Sequence, residues 1–323
     1  MITEKKIPKY LRDNYPSIGT IFNTEKIHAV NINSINYLIE AEKGKFILKN
    51  FFCDVNRVKK ISTILNACQN YTDSIPKIIS TKSGKLLESK YKCYLIQFMN
   101  GSSFVHSKLN LRYLAQNLAQ LHKILNRLDI SLPKNDPRYK ILTQKELKYI
   151  EKKISNRNSI FDKKMKEKIA LIQGSISLDS AVSKIIKPKL SNQLIHNDLH
   201  IDNVLFDAKS VNFIDFDSMV MGDPLTDIAF AALRFSDQKS GNISKIEKSI
   251  EQFLGAYIQI KKIDKMKLSF FNYFMTHEII RRLSFIIRQK YFNGSDMWIS
   301  DFDKFVRLLS IAHSIQINQK NII

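Results

Sequence analysis

Leu194-Ile-His-Asn-Asp-Leu-His-Ile-Asp-Asn-Val-Leu-Phe206 is followed, after a short polar break, by Val211-Asn-Phe-Ile-Asp-Phe-Asp217. The apolar runs Val204–Phe206 and Val211–Ile214 flank a turn expected near Ala208, the pattern of a strand pair. Just ahead of that pair, His196, Asp198 and Asn203 spell H-x-D-x-x-x-x-N, and Asp215 ends the second run. Polar side chains of these types at both ends of a short hairpin are a loop's way of presenting oxygen atoms.

Outward from this stretch the periodicity is helical. Leu111, Leu114, Leu118, Leu121, Ile124 and Leu125 recur mostly three and four apart, and similar patterns cover Gln144 to Ile186 and Ile243 to Ile315. Toward the N-terminus the pattern changes. Tyr37 to Lys49 reads as two strands around a turn at Glu42-Lys43-Gly44, and a helix capped by Asp54 runs to Ala67. Ile78–Leu87 and Tyr91–Phe98 repeat the strand, turn, strand pattern. The expectation is an α+β protein: a small, mostly-β lobe over residues 1–98 and a large, mostly helical one over 99–323, joined near Met99-Asn100-Gly101.

Composition narrows the class of protein. With 323 residues, 44% hydrophobic and 25% charged, the chain can bury a substantial core and is not disordered. Its three cysteines, Cys53, Cys68 and Cys93, form no C-x-x-C pair, so neither a zinc ribbon nor a disulfide framework is indicated. The first ten residues hold no apolar segment of signal-peptide length, and the reading is a cytoplasmic protein that meets no membrane. A net charge of +21 raises the question of nucleic acid. The densest basic stretch, Tyr139 to Lys168, is interleaved with Glu146, Glu151, Asp162 and Glu167, and its apolar residues Leu147, Ile150 and Ile154 keep helical spacing. It reads as the wet side of an amphipathic helix, and no nucleic-acid partner is expected.

The residue types around Asp198 suit phosphoryl transfer, which needs a carboxylate near the attacking hydroxyl, hard oxygen ligands for Mg²⁺ and a cation near the phosphates. Asp198 fills the first role as base. Asn203 and Asp215 supply metal ligands, and Asp217, on the same side of the chain as Asp215, is either a further ligand or a group behind the ligands. Lys49, at the end of the strand Phe46–Leu48, is placed for the cation.

The chain resembles the aminoglycoside phosphotransferase and choline kinase-like family of small-molecule kinases. The resemblance rests on His196-Asn-Asp-Leu-His200 with Asn203, Ile214-Asp-Phe-Asp217, Gly222-Asp-Pro-Leu-Thr-Asp-Ile-Ala229 and Leu118-Ala-Gln-Leu-His122. It implies a two-lobed protein kinase-like fold and a hydroxyl-bearing small-molecule acceptor. It also implies ATP and Mg²⁺ as cofactors, the nucleotide lying against Lys49, Ser34, Asn36, Gln97 and Met99. Ile32-Asn-Ser-Ile-Asn36 and Asp215-Phe-Asp-Ser-Met-Val-Met-Gly222 are similar to the branch that phosphorylates N-acetylhexosamines at the anomeric hydroxyl, which makes a sugar or amino sugar the favoured acceptor. The alternatives are an amino-alcohol, homoserine or aminoglycoside kinase of the same fold, a protein Ser/Thr kinase, or a nucleotide-binding pseudokinase.

Two features depart from typical kinases. Asn31 to Asn36 stands in place of a G-x-G-x-x-G loop, and no Glu occurs between Glu42 and Glu88 to pair the lysine from the helix. Other polar residues have plainer roles. The resemblance implies that His196 packs beneath the loop, while His200 either touches substrate or does not. Asp227 is expected to cap the helix starting at Ile228 and brace the loop. His277, Glu278, Arg281 and Arg282 either line the acceptor cleft or form a solvated face, and core packing is the default for His122 and Trp298.

Overall fold

The computed structural model describes residues 3–27, 34–51, 54–133, 140–207 and 210–317. The chain divides into two compact units: Met1–Phe104 with Ile124–Leu132 and Asp202–Met219, and Val105–Lys123 with Pro133–Ile201 and Val220–Ile323.

The first unit is built on a five-stranded sheet. Strands β1 (Ile21–Ile27), β2 (Ser34–Ala41), β3 (Gly44–Phe51), β4 (Ile78–Ile79) and β5 (Cys93–Gln97) lie in the order β1-β2-β3-β5-β4, with every neighbouring pair antiparallel. The expected β2–β3 turn is present, and Gly44 at φ 123° supplies the backbone conformation it needs. Alternation sorts the strands' side chains onto two faces. Ile39, Phe46, Leu48, Cys93 and Leu95 join Ile7, Tyr10 and Leu11 of α1 (Ile7–Asn14) in one core cluster. The opposite face meets α2 (Val55–Cys68), whose Asp54 cap accepts the Asn56 N–H at 3.0 Å.

The second expected hairpin is shorter than its sequence suggests. β4 keeps only two residues, because Thr81 draws the polar run after it into a turn: its hydroxyl accepts the Lys85 N–H at 3.1 Å and its carbonyl the Gly84 N–H at 2.8 Å. Helix α1 and strand β1 add elements the sequence reading did not assign.

The same unit holds the hairpin that follows the H-x-D loop. β7 (Val204–Asp207) pairs antiparallel with β8 (Ser210–Phe213), while the turn expected at Ala208 lies outside the described residues. Ser102 bridges Phe206 through paired backbone bonds of 2.8 Å. The adjacent Gly101 has φ 149°, and a side chain there would stand 2.8 Å from the Leu205 Cβ, so only glycine fits.

The second unit is mostly helical: α3 (Lys108–Leu125, nearly all of it here), α4 (Gln144–Ser155), α5 (Ile160–Ile186), α6 (Pro224–Phe235), α7 (Ile243–Ile258), α8 (Lys265–Leu268), α9 (Phe271–Tyr291) and α10 (Phe302–Ser314). The break between α4 and α5 is set by chemistry. Thr143 with Glu146, and Ser159 with Asp162, form capping boxes that start the two helices separately. Residues Ile160–Lys189 are long and apolar enough by composition to cross a membrane. In the structure, α5 spends its polar side chains on neighbours in the same unit: Asp162 accepts from Tyr291 at 2.8 Å, and Gln173 donates to Glu151 at 2.7 Å. A short ladder of β6 (Gln193–Ile195) with β9 (Val220–Gly222) carries the chain into and out of the loop region. A Cβ at Gly222 would stand 2.6 Å from Ile195 Cδ1 and would displace the end of that side chain.

Candidate active site

In the first unit, Lys49 is 5% exposed and lies between two carboxylates, 2.9 Å from Asp215 Oδ1 and 2.8 Å from Asp217 Oδ2. Burial alone would strip its proton, but Asp215 and Asp217 reverse that effect and hold its pKa well above the usual lysine value. Register explains the convergence. Asn36 on β2 and Tyr94 on β5 are the cross-strand partners of Lys49, so all three share the α2 face of the sheet. The Tyr94 hydroxyl donates to Asp217 Oδ1 at 3.3 Å, and burial with Asp217 close by raises its own pKa.

Asn203 and Asp215 are brought together by the hairpin. Asn203 immediately precedes β7, and the Ile214 N–H just past β8 donates to the Asn203 carbonyl at 3.0 Å. Asp215 then takes a left-handed backbone, φ 60° and ψ 65°. That region is costly for most L residues and least so for Asn and Asp. Such strain in an ordered loop marks a position held by its surroundings.

The nucleotide-side candidates separate. Ser34 is buried, donates to Asn36 Oδ1 at 3.2 Å and lines a small cavity with Lys49, Phe51, Arg57, Tyr94 and Asp217. Gln97 lies on the opposite face of β5 from Tyr94, with its N–H bonded to the Lys77 carbonyl at 2.8 Å. Half-buried Met99 follows the strand. Residues Asn31 to Asn33 of the loop that replaces the glycine motif, and Cys53, lie outside the described residues; Cys68 and Cys93 are free thiols.

The second unit carries Asp198. Its Oδ1 is 3.2 Å from an Arg282 nitrogen and its Oδ2 is 3.9 Å from His200 Nε2. Arg282 also donates to Glu278 Oε2 at 2.6 Å and to the Asn197 carbonyl at 3.2 Å, and its guanidinium lies 3.6 Å from the centre of the Phe230 ring. Glu278 is 1% exposed and pairs with Arg281 as well, while Arg281 donates to Asn197 Oδ1 at 3.1 Å. Burial opposes the Glu278 charge, but Arg281 and Arg282 prevail and keep its pKa below the usual range. The residue just before it on α9, His277, contacts Asp179 of α5 at 2.6 Å. Glu278 and Arg282 are therefore buried, which excludes a fully solvated face for this part of α9.

Asp227 braces the loop from below, accepting the N–H groups of His196 and Asn197, each at 2.7 Å. It does not cap its helix: α6 begins at Pro224, and Asp223 is the cap, accepting from Leu225. Asn197 takes φ 67°, the second strained backbone beside a chemistry-bearing residue. Fully buried His122 joins Asp227 at 3.1 Å and the Tyr257 hydroxyl at 2.8 Å, and burial lowers its pKa. Sequence reasoning left His122 to general core packing and gave no role to Arg57, whose guanidinium donates to the carbonyls of Asp217 and Met219 at 3.2 and 2.8 Å. No local pattern signals a basic side chain anchoring backbone more than a hundred residues away.

Among the described residues, no three His, Cys, Asp or Glu side chains are grouped to hold a metal ion by themselves. Mg²⁺ bound through phosphates asks for less, one or two protein oxygens, and Asn203 with Asp215 fits that donor set.

The sheet, the braced loop and the helical unit define an α+β protein of the protein kinase-like fold. The chain belongs to the phosphotransferase enzyme family, whose model matches residues 24–259, and it is accordingly a small-molecule phosphotransferase acting on hydroxyl acceptors. Similar solved structures include a spectinomycin phosphotransferase in complex with ADP and spectinomycin, 18% identical over 97% of this chain and 99% of that one, TM-score 0.70. Amicoumacin kinase in complex with AMP-PNP and Ca²⁺ is 15% identical over 98% and 96%, TM-score 0.63. A choline kinase from Streptococcus pneumoniae is 14% identical over 95% and 98%, TM-score 0.60. At these identities the likeness is one of fold. No curated protein sequence matches the chain.

Proposed function

We propose that the enzyme moves the γ-phosphate of ATP, with Mg²⁺, to a hydroxyl of a small metabolite, a sugar or amino sugar. The working division gives nucleotide binding to residues 1–98 and the loop and acceptor helices to 99–323. Asp198 accepts the acceptor's proton. Arg282 on Oδ1 fixes the carboxylate's orientation. Asn203 and Asp215 would hold Mg²⁺, which when bound neutralises phosphate charge. Lys49 contacts the phosphates, and Ser34, Asn36, Gln97 and Met99 serve the rest of the nucleotide. The nucleotides bound in the similar phosphotransferase structures support this half of the reading. Free Cys68 and Cys93 suit a reducing cytoplasm.

The observation that carries the acceptor class is charge balance around Asp198. Asp198 is matched by Arg282 and Glu278 by Arg281 and Arg282, and Asp179 is hydrogen-bonded to His277. A polycationic antibiotic or a quaternary amine needs unmatched acids or an aromatic cage. A neutral polyol is served by paired donors and acceptors, which is what this wall offers. The test is nucleotide consumption with Mg²⁺ against hexoses, hexosamines, amino alcohols, homoserine and aminoglycosides. Stimulation by hexoses or hexosamines is expected; stimulation by choline or an aminoglycoside alone overturns the acceptor class.

A further inference from the structure

Helix α2 contains neither Asp nor Glu, so it has no carboxylate to offer the lysine of β3. Lys49 is nonetheless held at two points, and the two carboxylates differ. Asp215 stands in the strained backbone beside Asn203, with a side chain 37% exposed. Asp217 is more enclosed, 21% exposed, and is gripped from several directions. Its Oδ2 takes the Lys49 ammonium and its Oδ1 the Tyr94 hydroxyl. Its backbone carbonyl takes the guanidinium of Arg57, which rises from α2 itself.

We propose that Asp217 is the positioning residue for Lys49, supplying from the short 3-10 turn after the hairpin the carboxylate that a helix would otherwise provide, and that Arg57 locks it by tying α2 to the backbone around Asp217. The helix then supports the lysine through backbone carbonyls and not through a charge of its own. Asp215, facing Lys49 with one oxygen, is the metal-side carboxylate, and Asp217 is the one that keeps the ammonium in place. The geometry stands alone; its catalytic consequence rests on the phosphotransfer reading above.

The experiment combines a chemical and a kinetic readout on the full chain. Amine acetylation followed by mass spectrometry reports the reactivity of Lys49, with exposed Lys59 as internal reference. Asp217→Asn, nearly isosteric, should raise Lys49 labelling several-fold, and Tyr94→Phe, which removes only the hydroxyl on Oδ1, should raise it less. Turnover in Asp217→Asn should fall about 10²-fold, the scale for a misplaced reacting partner. The Mg²⁺ half-saturation should stay put, and adding Asp217→Asn to Lys49→Met should cost nothing further. Unchanged labelling in both variants, or additive losses in the double variant, overturns the proposal. So does a displaced Mg²⁺ requirement, which would make Asp217 a metal ligand. If the unmodified protein consumes no nucleotide with any acceptor, the functional reading falls while the labelling arm still decides the position.

Discussion

The two polar clusters are built from similar parts in opposite proportion. Around Lys49 one buried cation is shared by two carboxylates; around Glu278 one buried carboxylate is shared by two guanidiniums, one of which also holds Asp198. The first cluster also takes in the Arg57 guanidinium at the Asp217 carbonyl, and the second pairs two carboxylates with two guanidiniums. Ion pairs out of water are costly unless each charge is matched. Two carboxylates on one lysine suit the proposed site that takes up a cation with phosphates. Balance around Asp198 suits a neutral acceptor.

The comparison breaks most visibly at Asp198. Asp198→Asn should lower turnover by about 10²–10⁴-fold with nucleotide affinity nearly intact, measured by steady-state kinetics and calorimetry. Near-normal turnover would leave the second cluster without chemistry. On the other side, Asp215→Ala should erase the difference in nucleotide affinity between Mg²⁺ and chelator, leaving metal-free binding less changed. Equal affinity with and without Mg²⁺ in the unmodified protein would remove the metal role proposed for Asp215.

The balance of the second cluster predicts a stability effect. Glu278→Ala removes the buried carboxylate shared by buried Arg282 and part-buried Arg281 and should cost roughly 3–5 kcal/mol in denaturant unfolding. Lys164→Ala, which breaks an exposed pair with Asp303, should cost about 1 kcal/mol or less. Similar losses would mean that burial of Glu278 does not govern its energetics.

The smallest expected effect is on pH dependence beneath the loop. Burial lowers the pKa of His122, so between its folded value and the unfolded value of about 6.5 only the unfolded chain binds the proton. Its contribution is complete above that unfolded value and declines as pH falls through it. Glu146, lowered to about 2 by Arg288 and its cap against the opposing effect of burial, keeps its contribution until the pH drops below the ordinary glutamate value, about 4.3, and so leaves the window from pH 7 to 5 to histidine. His122→Gln should flatten the dependence of the unfolding midpoint on pH there; an unaltered slope would assign it elsewhere.

What the sequence revealed and what it hid divide along the same physical line. The turn at Gly44, the Asp54 cap and the Leu stripe of α3 are local, each decided by residues within a few positions, and all are found where the pattern put them. The H-x-D-x-x-x-x-N spacing located the loop for the same reason. Arg57 on the carbonyls of Asp217 and Met219 and Arg282 on Asp198 join residues far apart in the chain, with no mark in their own neighbourhoods, whereas the bracing of the loop by Asp227 was expected and is found. The short β4 was misjudged because Thr81, a β-branched residue that looks like strand, spends its hydroxyl on a turn.

The discontinuity of the first unit sets an order of events during synthesis. Its sheet is complete by residue 104, but the segment Asp202–Met219 that belongs to it emerges about a hundred residues later, and the Ser102–Phe206 bridge closes that whole interval. At ordinary elongation rates of ~5–20 residues per second, the nascent sheet waits several seconds with Lys49 lacking both carboxylates. A buried ammonium without a counter-charge is unfavourable, so final packing of the α2 face is favoured only once the hairpin has arrived. Release of the lysine strand to its final packing is thus timed by the same residues that later hold it.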